Sequence, residues 1–260
     1  MIYFTIRKIL EESVDLKEFF KANNKVAVAF SGGVDSSYLL YAANDAGADI
    51  RAYYVSSQFQ PAFELEDARK IAEFTGTDMK VIEVDVLSDE TVISNPADRC
   101  YHCKRLIMGN IIRQAALDGY SLVIDGTNAS DDIDDRPGAK ALKEFGVRSP
   151  LRECGITKPE IRKLAKAAGL SVWDKPAYAC LATRIPHGEL ITADKLKTTE
   201  KAETLLYEMG FRDFRVRMRG ENALVQVTAA QYGEAMARRN DIAATLGTMY
   251  GEVIIDDITR

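Results

Sequence analysis

The sequence predicts an α/β fold: a parallel β-sheet with helices on both faces, followed by a small α+β domain. Short apolar runs alternate with segments of helical period as far as Gly169, as strand and crossover helix do in a parallel sheet. The runs AVAF (27–30) and SLVID (121–125) lack polar alternation, which suits strands buried from both sides. After Pro186 the pattern changes to one long helix and then two strands split by a turn. Residues 1–185 are therefore read as the first domain and 186–260 as the second, with no internal repeat.

Taken in order, Val14, Leu16, Phe19 and Phe20 fall near helical spacing over 13–23, with Ser13 as cap. Val26, Val28 and Phe30 mark a strand that meets Gly32-Gly33 and passes into a helix ending at Gly47. Strands follow at 50–55, 80–86 and 121–125, with helices near 62–75, 101–118 and 158–168. The stretch from Asp125 to Gly146 is rich in Asp, Asn, Ser and Gly and predicts a mobile surface loop of the kind that closes over a nucleotide. In the second domain a helix over 192–210 precedes strands at 214–219 and 223–228, helices over 230–247 and a last strand near 252–256.

At 260 residues and 47% hydrophobic, the chain can bury a full core without disulfides. A formal charge of −5 argues against nucleic acid or an anionic membrane as partner and leaves room for a small ligand. No run approaches the roughly 18 apolar residues of a membrane span, and the start MIYFTIRKILEES turns charged too early for a secretory segment, so a cytoplasmic location is expected. Four cysteines are too few for a disulfide framework, and a C-x-x-C pair in a reducing compartment points to metal or redox chemistry.

The strongest motif is Ser31-Gly32-Gly33-Val34-Asp35-Ser36-Ser37 between a predicted strand and a predicted helix. Two glycines let main-chain N–H groups face phosphate oxygens, the helix start adds partial positive charge, and Ser31, Ser36 and Ser37 can donate hydroxyls. Asp35 in such a cradle would repel phosphate unless a divalent cation intervenes, so Mg²⁺ is expected there. The Gly-Lys-Ser/Thr ending of a Walker loop is missing.

Cys100 and Cys103 stand three apart at a predicted helix start, between Arg99 and Lys104, an environment that favours thiolate. Cys180 lies in a segment of small residues bounded by Pro176 and Pro186, where a shaped loop is expected. Three thiolates could hold an iron–sulfur (4Fe–4S) cluster with one iron left open, or with a histidine could hold zinc. His102 sits inside the pair and His187 near the third thiol, whereas Cys154 has no neighbour of this kind and reads as structural.

SGGVDS is the fingerprint of the PP-loop ATP pyrophosphatases, and with NPADRCYHCK, DGTNASDDIDDRPG, RSPL, TKPEIRKLAKAAGL, WDKPAYACLATRIPHG and FRVRMRG the chain resembles the LarE family of ATP-dependent sulfur transferases over nearly its whole length. The resemblance implies ATP bound by Ser31, Gly32, Gly33, Asp35, Ser36 and Gly126, and adenylation of a carboxylate on pyridinium-3,5-biscarboxylate mononucleotide. It implies conversion of that carboxylate to a thiocarboxylate for the nickel-pincer nucleotide. Cys180 would be catalytic, and because Cys100 and Cys103 are also present the three-cysteine, cluster-bearing type is favoured. Glu203, with Glu200 one turn away, enters as a catalytic carboxylate, and Arg184, Arg215 and Arg217 as ligands of the substrate phosphate. A period of two puts Arg215 and Arg217 on one strand face. A homo-oligomer and a separate sulfur donor are further expectations.

Three other readings compete. A tRNA-thiolating enzyme would ordinarily need an extended basic surface, against the acidic total. An ammonia-dependent amide synthetase needs no cysteine trio. A nucleotide-binding regulator without catalysis would use the loop alone.

Overall fold

The computed structural model describes residues 16–132 and 137–259. These divide into two compact units. The first comprises the chain up to Ser57 together with Ala62–Val84 and Cys100–Lys175; the second comprises Gln58–Pro61, Asp85–Arg99 and the chain from Pro176.

The first unit contains β1 (Lys25–Ala29), α1 (Val34–Asp45), β2 (Asp49–Ser56), α2 (Ala62–Thr75), β3 (Met79–Glu83), α3 (Arg99–Leu117, its first residue apart), β4 (Val123–Asp125), α4 (Pro137–Glu144) and α5 (Lys158–Ala167). The four strands form one parallel sheet in the order β3-β2-β1-β4. In β1 the consecutive residues Val26, Ala27 and Val28 are all fully buried, as a strand covered on both faces requires. Helices flank the sheet; Leu39 and Leu40 of α1 and Ile161 and Ala165 of α5 join Val26 and Val28 in the core. Each of the valine, leucine and isoleucine side chains contributes about 1.5–3 kcal/mol by leaving water.

The chain runs outward from β1 to β2 and β3, then returns to place β4 on the other side of β1. That reversal opens a crevice beyond the carboxyl ends of β1 and β4, the place where open α/β sheets bind ligands. Both the Ser31–Ser37 loop and Gly126 leave the sheet at this edge.

The expected opening helix is present over residues 16–22; its start, with Ser13 and Val14, lies outside the described residues. The described part of the loop after Asp125 is closely hydrogen-bonded. Asn128 is buried, its N–H donates to Asp131 Oδ2 (2.9 Å), the Ala129 N–H donates to the Ile156 carbonyl (2.9 Å), and Arg152 Nη1 donates to the Asp131 carbonyl (2.7 Å). The Asn128 side chain also closes an Asx turn, its Oδ1 accepting from the Ser130 N–H (2.8 Å). Further on, Pro137–Glu144 is helical, with Ala141 buried.

The second unit contains a 3₁₀ turn at Leu181–Arg184, α6 (Ala193–Glu208), β5 (Arg215–Arg219), β6 (Asn222–Gln226), α7 (Ala229–Ala237), α8 (Arg239–Leu246) and β7 (Val253–Ile255). Its sheet is mixed: β5 and β6 form an antiparallel hairpin and β7 lies parallel to β6. Thr192 caps α6, its hydroxyl accepting from the Lys195 N–H.

Candidate active site

In the first unit β1 ends at Ala29 and Phe30 leads into the loop. Gly32 has φ +72°, and a Cβ there would stand 3.2 Å from Ala68 Cβ, so both conformation and space call for glycine. Gly33 is the N-cap of α1, and the hydroxyls of Ser31 and Ser36 lie 3.1 Å apart. Ser36 Oγ donates to the Gly33 carbonyl (3.2 Å) and accepts from the Ser31 N–H (3.3 Å), which closes the loop on itself. Gly126 is pressed against the same loop: a Cβ would fall 2.8 Å from Ser36 N and 3.0 Å from Ser36 Cα. Sheet order thus brings together the two parts of the expected ATP-binding set that are far apart in sequence.

Asp35 stands in the first turn of α1, and Lys158, at the first position of α5, donates to its Oδ2 at 2.6 Å. Its Oδ1 is buried and has no hydrogen-bond partner among the described residues; the same is true of Ser37 Oγ. Burial pushes the Asp35 carboxyl above its ordinary range, and the Lys158 ammonium opposes that rise. A buried carboxylate oxygen without a donor fits a divalent cation such as Mg²⁺. The motif reading missed Lys158; the capping pattern Thr157-x-x-Glu160, which fixes the start of α5, was the signal available.

Cys100 and Cys103 lie on the first turn of α3, exposed and part-buried respectively. Arg99 does not flank them as the sequence suggested: it is buried, with Nη1 donating to Asn95 Oδ1 (2.8 Å) and to the Ala182 carbonyl (3.0 Å). Cys154, also part-buried, packs against the core of the first unit. Among the described residues, no three His, Cys, Asp or Glu side chains are grouped so as to hold a metal ion.

Cys180 is part-buried at the head of the Leu181–Arg184 turn in the second unit. Its carbonyl accepts from the Thr183 N–H (3.0 Å) and hydroxyl (2.8 Å), and the Leu181 N–H is tied to the Phe59 carbonyl (2.8 Å). Arg184 clamps this turn, with Nη1 donating to the Ala179 carbonyl (2.9 Å) and to Thr183 Oγ1 (2.7 Å). The rest of that guanidinium meets Glu203: Nε to Oε1 at 2.8 Å and Nη2 to Oε2 at 3.1 Å. Glu203 also accepts from the Val216 N–H (2.9 Å) and from the Tyr178 hydroxyl. Burial, then the neighbouring Glu203 charge, holds the Tyr178 phenol far above its ordinary range, so it stays a donor. Glu200 is only half-buried, which distinguishes the two carboxylates that sequence left side by side.

Arg215 and Arg217 share a face of β5 but are engaged differently. Arg215 is buried, donates to the Phe214 and Ala177 carbonyls (both 2.5 Å) and lies over the Tyr178 ring. Arg217 donates to Gln226 Oε1 (2.6 Å) and to the Thr183 carbonyl (2.7 Å) and opens onto a pocket of about 210 Å³. That pocket is lined by Arg99, Arg184, Arg217, Arg219 and His187 with Thr183, Ile185, Pro186 and Met218, and no carboxylate borders it. The guanidiniums of Arg217 and Arg219 line a cavity suited to an anion, whereas that of Arg184 is paired with Glu203. Arg99, Arg219 and His187 were not singled out for this role by sequence.

Residues 5–109 match the family model described as asparagine synthase. The chain is 37% identical over 225 residues to an uncharacterized Synechocystis protein, covering 86% of this chain and 84% of that one. It is 34% identical over 231 residues to the pyridinium-3,5-bisthiocarboxylic acid mononucleotide synthase of Lactiplantibacillus plantarum, covering 87% of this chain and 84% of that enzyme. A tRNA-specific 2-thiouridylase of Thermotoga petrophila is 26% identical over 58% of this chain and 54% of its own length. A phosphate-type loop at the switch point of a parallel sheet, and identity of this extent over most of both chains, lead to one conclusion: the chain belongs to the LarE family and is an ATP-dependent sulfur-transferring enzyme.

Proposed function

We propose that the protein adenylates a carboxylate of pyridinium-3,5-biscarboxylate mononucleotide and replaces an oxygen of that carboxylate with sulfur, in the synthesis of a nickel-pincer nucleotide. The observation that carries this reading is local to the second unit. The turn headed by Cys180 continues, through Thr183 and Arg184, into the wall of the cationic pocket, so a substrate anchored there by its phosphate stands near a thiol.

Ser31, Gly32, Gly33, Ser36 and Gly126 would hold the ATP phosphates, and Asp35 would hold Mg²⁺, which would supply positive charge against the negative charge of the departing pyrophosphate. A carboxylate oxygen of the substrate attacks the α-phosphorus and pyrophosphate leaves, giving an acyl-adenylate. A sulfide-level sulfur from a separate donor, delivered beside Cys180, would then attack the acyl carbon; AMP departs with the original carboxylate oxygen and the thiocarboxylate is left with no further bond to break. In this reading Arg217 and Arg219 bind the substrate phosphate, while Arg184 and Glu203 hold the thiol-bearing turn in shape.

We further propose that Cys100, Cys103 and Cys180 supply the thiolates of a 4Fe–4S cluster. The spacing of Cys100 and Cys103 by one helical turn, and the softness of the donors, support it. When bound, such a cluster would supply sulfide for transfer. Anaerobically purified protein should be brown and contain iron and labile sulfide, and Cys100→Ala should remove both; colourless protein with stoichiometric zinc contradicts the cluster.

Adenylation itself is tested with substrate carrying heavy oxygen in its carboxylates. The label should appear in AMP in proportion to sulfur incorporated. AMP without label would rule out an acyl-adenylate.

A further inference from the structure

Lys158 and Asp35 are separated by 123 residues in sequence, yet their side chains meet at 2.6 Å. The lysine is presented from a fixed point: its own N–H donates to Ser130 Oγ (3.0 Å), and the preceding Thr157 N–H donates to Glu160 Oε2 (2.9 Å). α5 packs against α1, which carries Asp35. The ammonium satisfies one carboxylate oxygen and leaves the other, Oδ1, buried without a donor. A carboxylate served on one side only is poorly compensated, because a buried acceptor without a partner keeps its desolvation cost. The contact therefore has the character of a holding arrangement, made by the one cationic side chain whose compact charge sits on a flexible stem.

We propose that Lys158 is a positioning residue that occupies Asp35 in the nucleotide-free enzyme and passes to the nucleotide phosphates as the divalent cation takes the carboxylate. The inference rests on the reading of Asp35 as the cation ligand. While the ammonium is in place, a second cation at the same carboxylate is opposed by charge. Once phosphate oxygens arrive, they offer the ammonium a better partner and the cation a second set of ligands. Cation and nucleotide then bind with mutual reinforcement, because linkage between two sites is reciprocal. The arrangement keeps the carboxylate from sequestering metal when no nucleotide is present.

The test is Mn²⁺ titration of the full chain without nucleotide, followed by the electron paramagnetic resonance of the free ion. Lys158→Met and Lys158→Gln should bind Mn²⁺ about tenfold more tightly than the natural protein, the scale of ordinary coupling between sites, and Lys158→Arg should not. With ATP present the advantage should shrink or reverse. Circular dichroism establishes that each variant is folded. If Mn²⁺–ATP binding is lost in Asp35→Asn while the Lys158 variants bind Mn²⁺ no more tightly than the natural protein, the holding role is overturned and the ligand role stands. If Asp35→Asn leaves Mn²⁺–ATP binding unchanged, both are overturned.

Discussion

Arg184 and Glu203 form a buried two-pronged ion pair, at 2.8 and 3.1 Å, with the guanidinium only 1% exposed. The pair joins α6 to the turn that carries Cys180, since the same guanidinium holds the Ala179 carbonyl and the Thr183 hydroxyl. Removing one partner of a buried pair costs roughly 3–5 kcal/mol because the other charge is left without compensation. Glu203→Ala should therefore lower stability to urea by that order, and Cys180 should alkylate faster in the variant than in the natural protein. Unchanged alkylation would separate the ion pair from the thiol.

Gly126 admits no side chain, since an added Cβ would meet main-chain atoms of Ser36 rather than a movable tip. Overpacking of this kind costs about 1–3 kcal/mol. Gly126→Ala should pay it by shifting the phosphate loop, with ATP binding by calorimetry weakened at least tenfold. A variant that binds ATP normally would mean that this contact does not shape the loop.

Arg219 is exposed at the rim of the cationic pocket and serves as a clean probe of it. A charge-assisted hydrogen bond contributes about 1.5–3 kcal/mol, so Arg219→Ala should raise the KM for a phosphate-bearing substrate roughly tenfold or more. The KM for ATP should not change. An effect on ATP alone would place the nucleotide, not the substrate, in this pocket.

Alkaline pH offers a test of core packing. Burial pushes the Tyr38 phenol from the ordinary 10.0 up to about 12, and burial pushes Tyr54 higher still. Because the folded state holds these protons more tightly than the unfolded chain, their contribution is complete below pH 10 and is lost as pH rises through about 12. Phenolate absorbance should appear together with loss of circular dichroism in that window. Titration of all tyrosines near pH 10 with the fold intact would contradict it.

The parallel sheet, the phosphate loop and the strands and helices of the second domain were legible because each is written in local periodicity and turn chemistry; the parallel pairing of β7 with β6 was not. AVAF and the Gly32-Gly33 turn need no distant partner to be read. The Lys158 contact with Asp35 was not legible, since the capping pattern of Thr157 and Glu160 fixes where α5 begins but says nothing of a partner 123 residues away. Arg99 misled for the same reason: its position beside Cys100 is sequential, whereas its guanidinium is engaged with Asn95 and Ala182. The membership of Asp85–Arg99 in the second unit likewise depends on contacts such as the Gly188 N–H with the Asn95 carbonyl, which no periodicity announces.

The central claim is that sulfur reaches the activated carboxylate at Cys180. It is tested most directly by incubating natural and Cys180→Ala protein with ATP, Mg²⁺ and pyridinium-3,5-biscarboxylate mononucleotide, and weighing the nucleotide products by mass spectrometry. The account predicts replacement of one carboxylate oxygen by sulfur with the natural protein, and with the variant pyrophosphate release but no thiocarboxylate. Formation of the thiocarboxylate by the variant at the natural rate would contradict it.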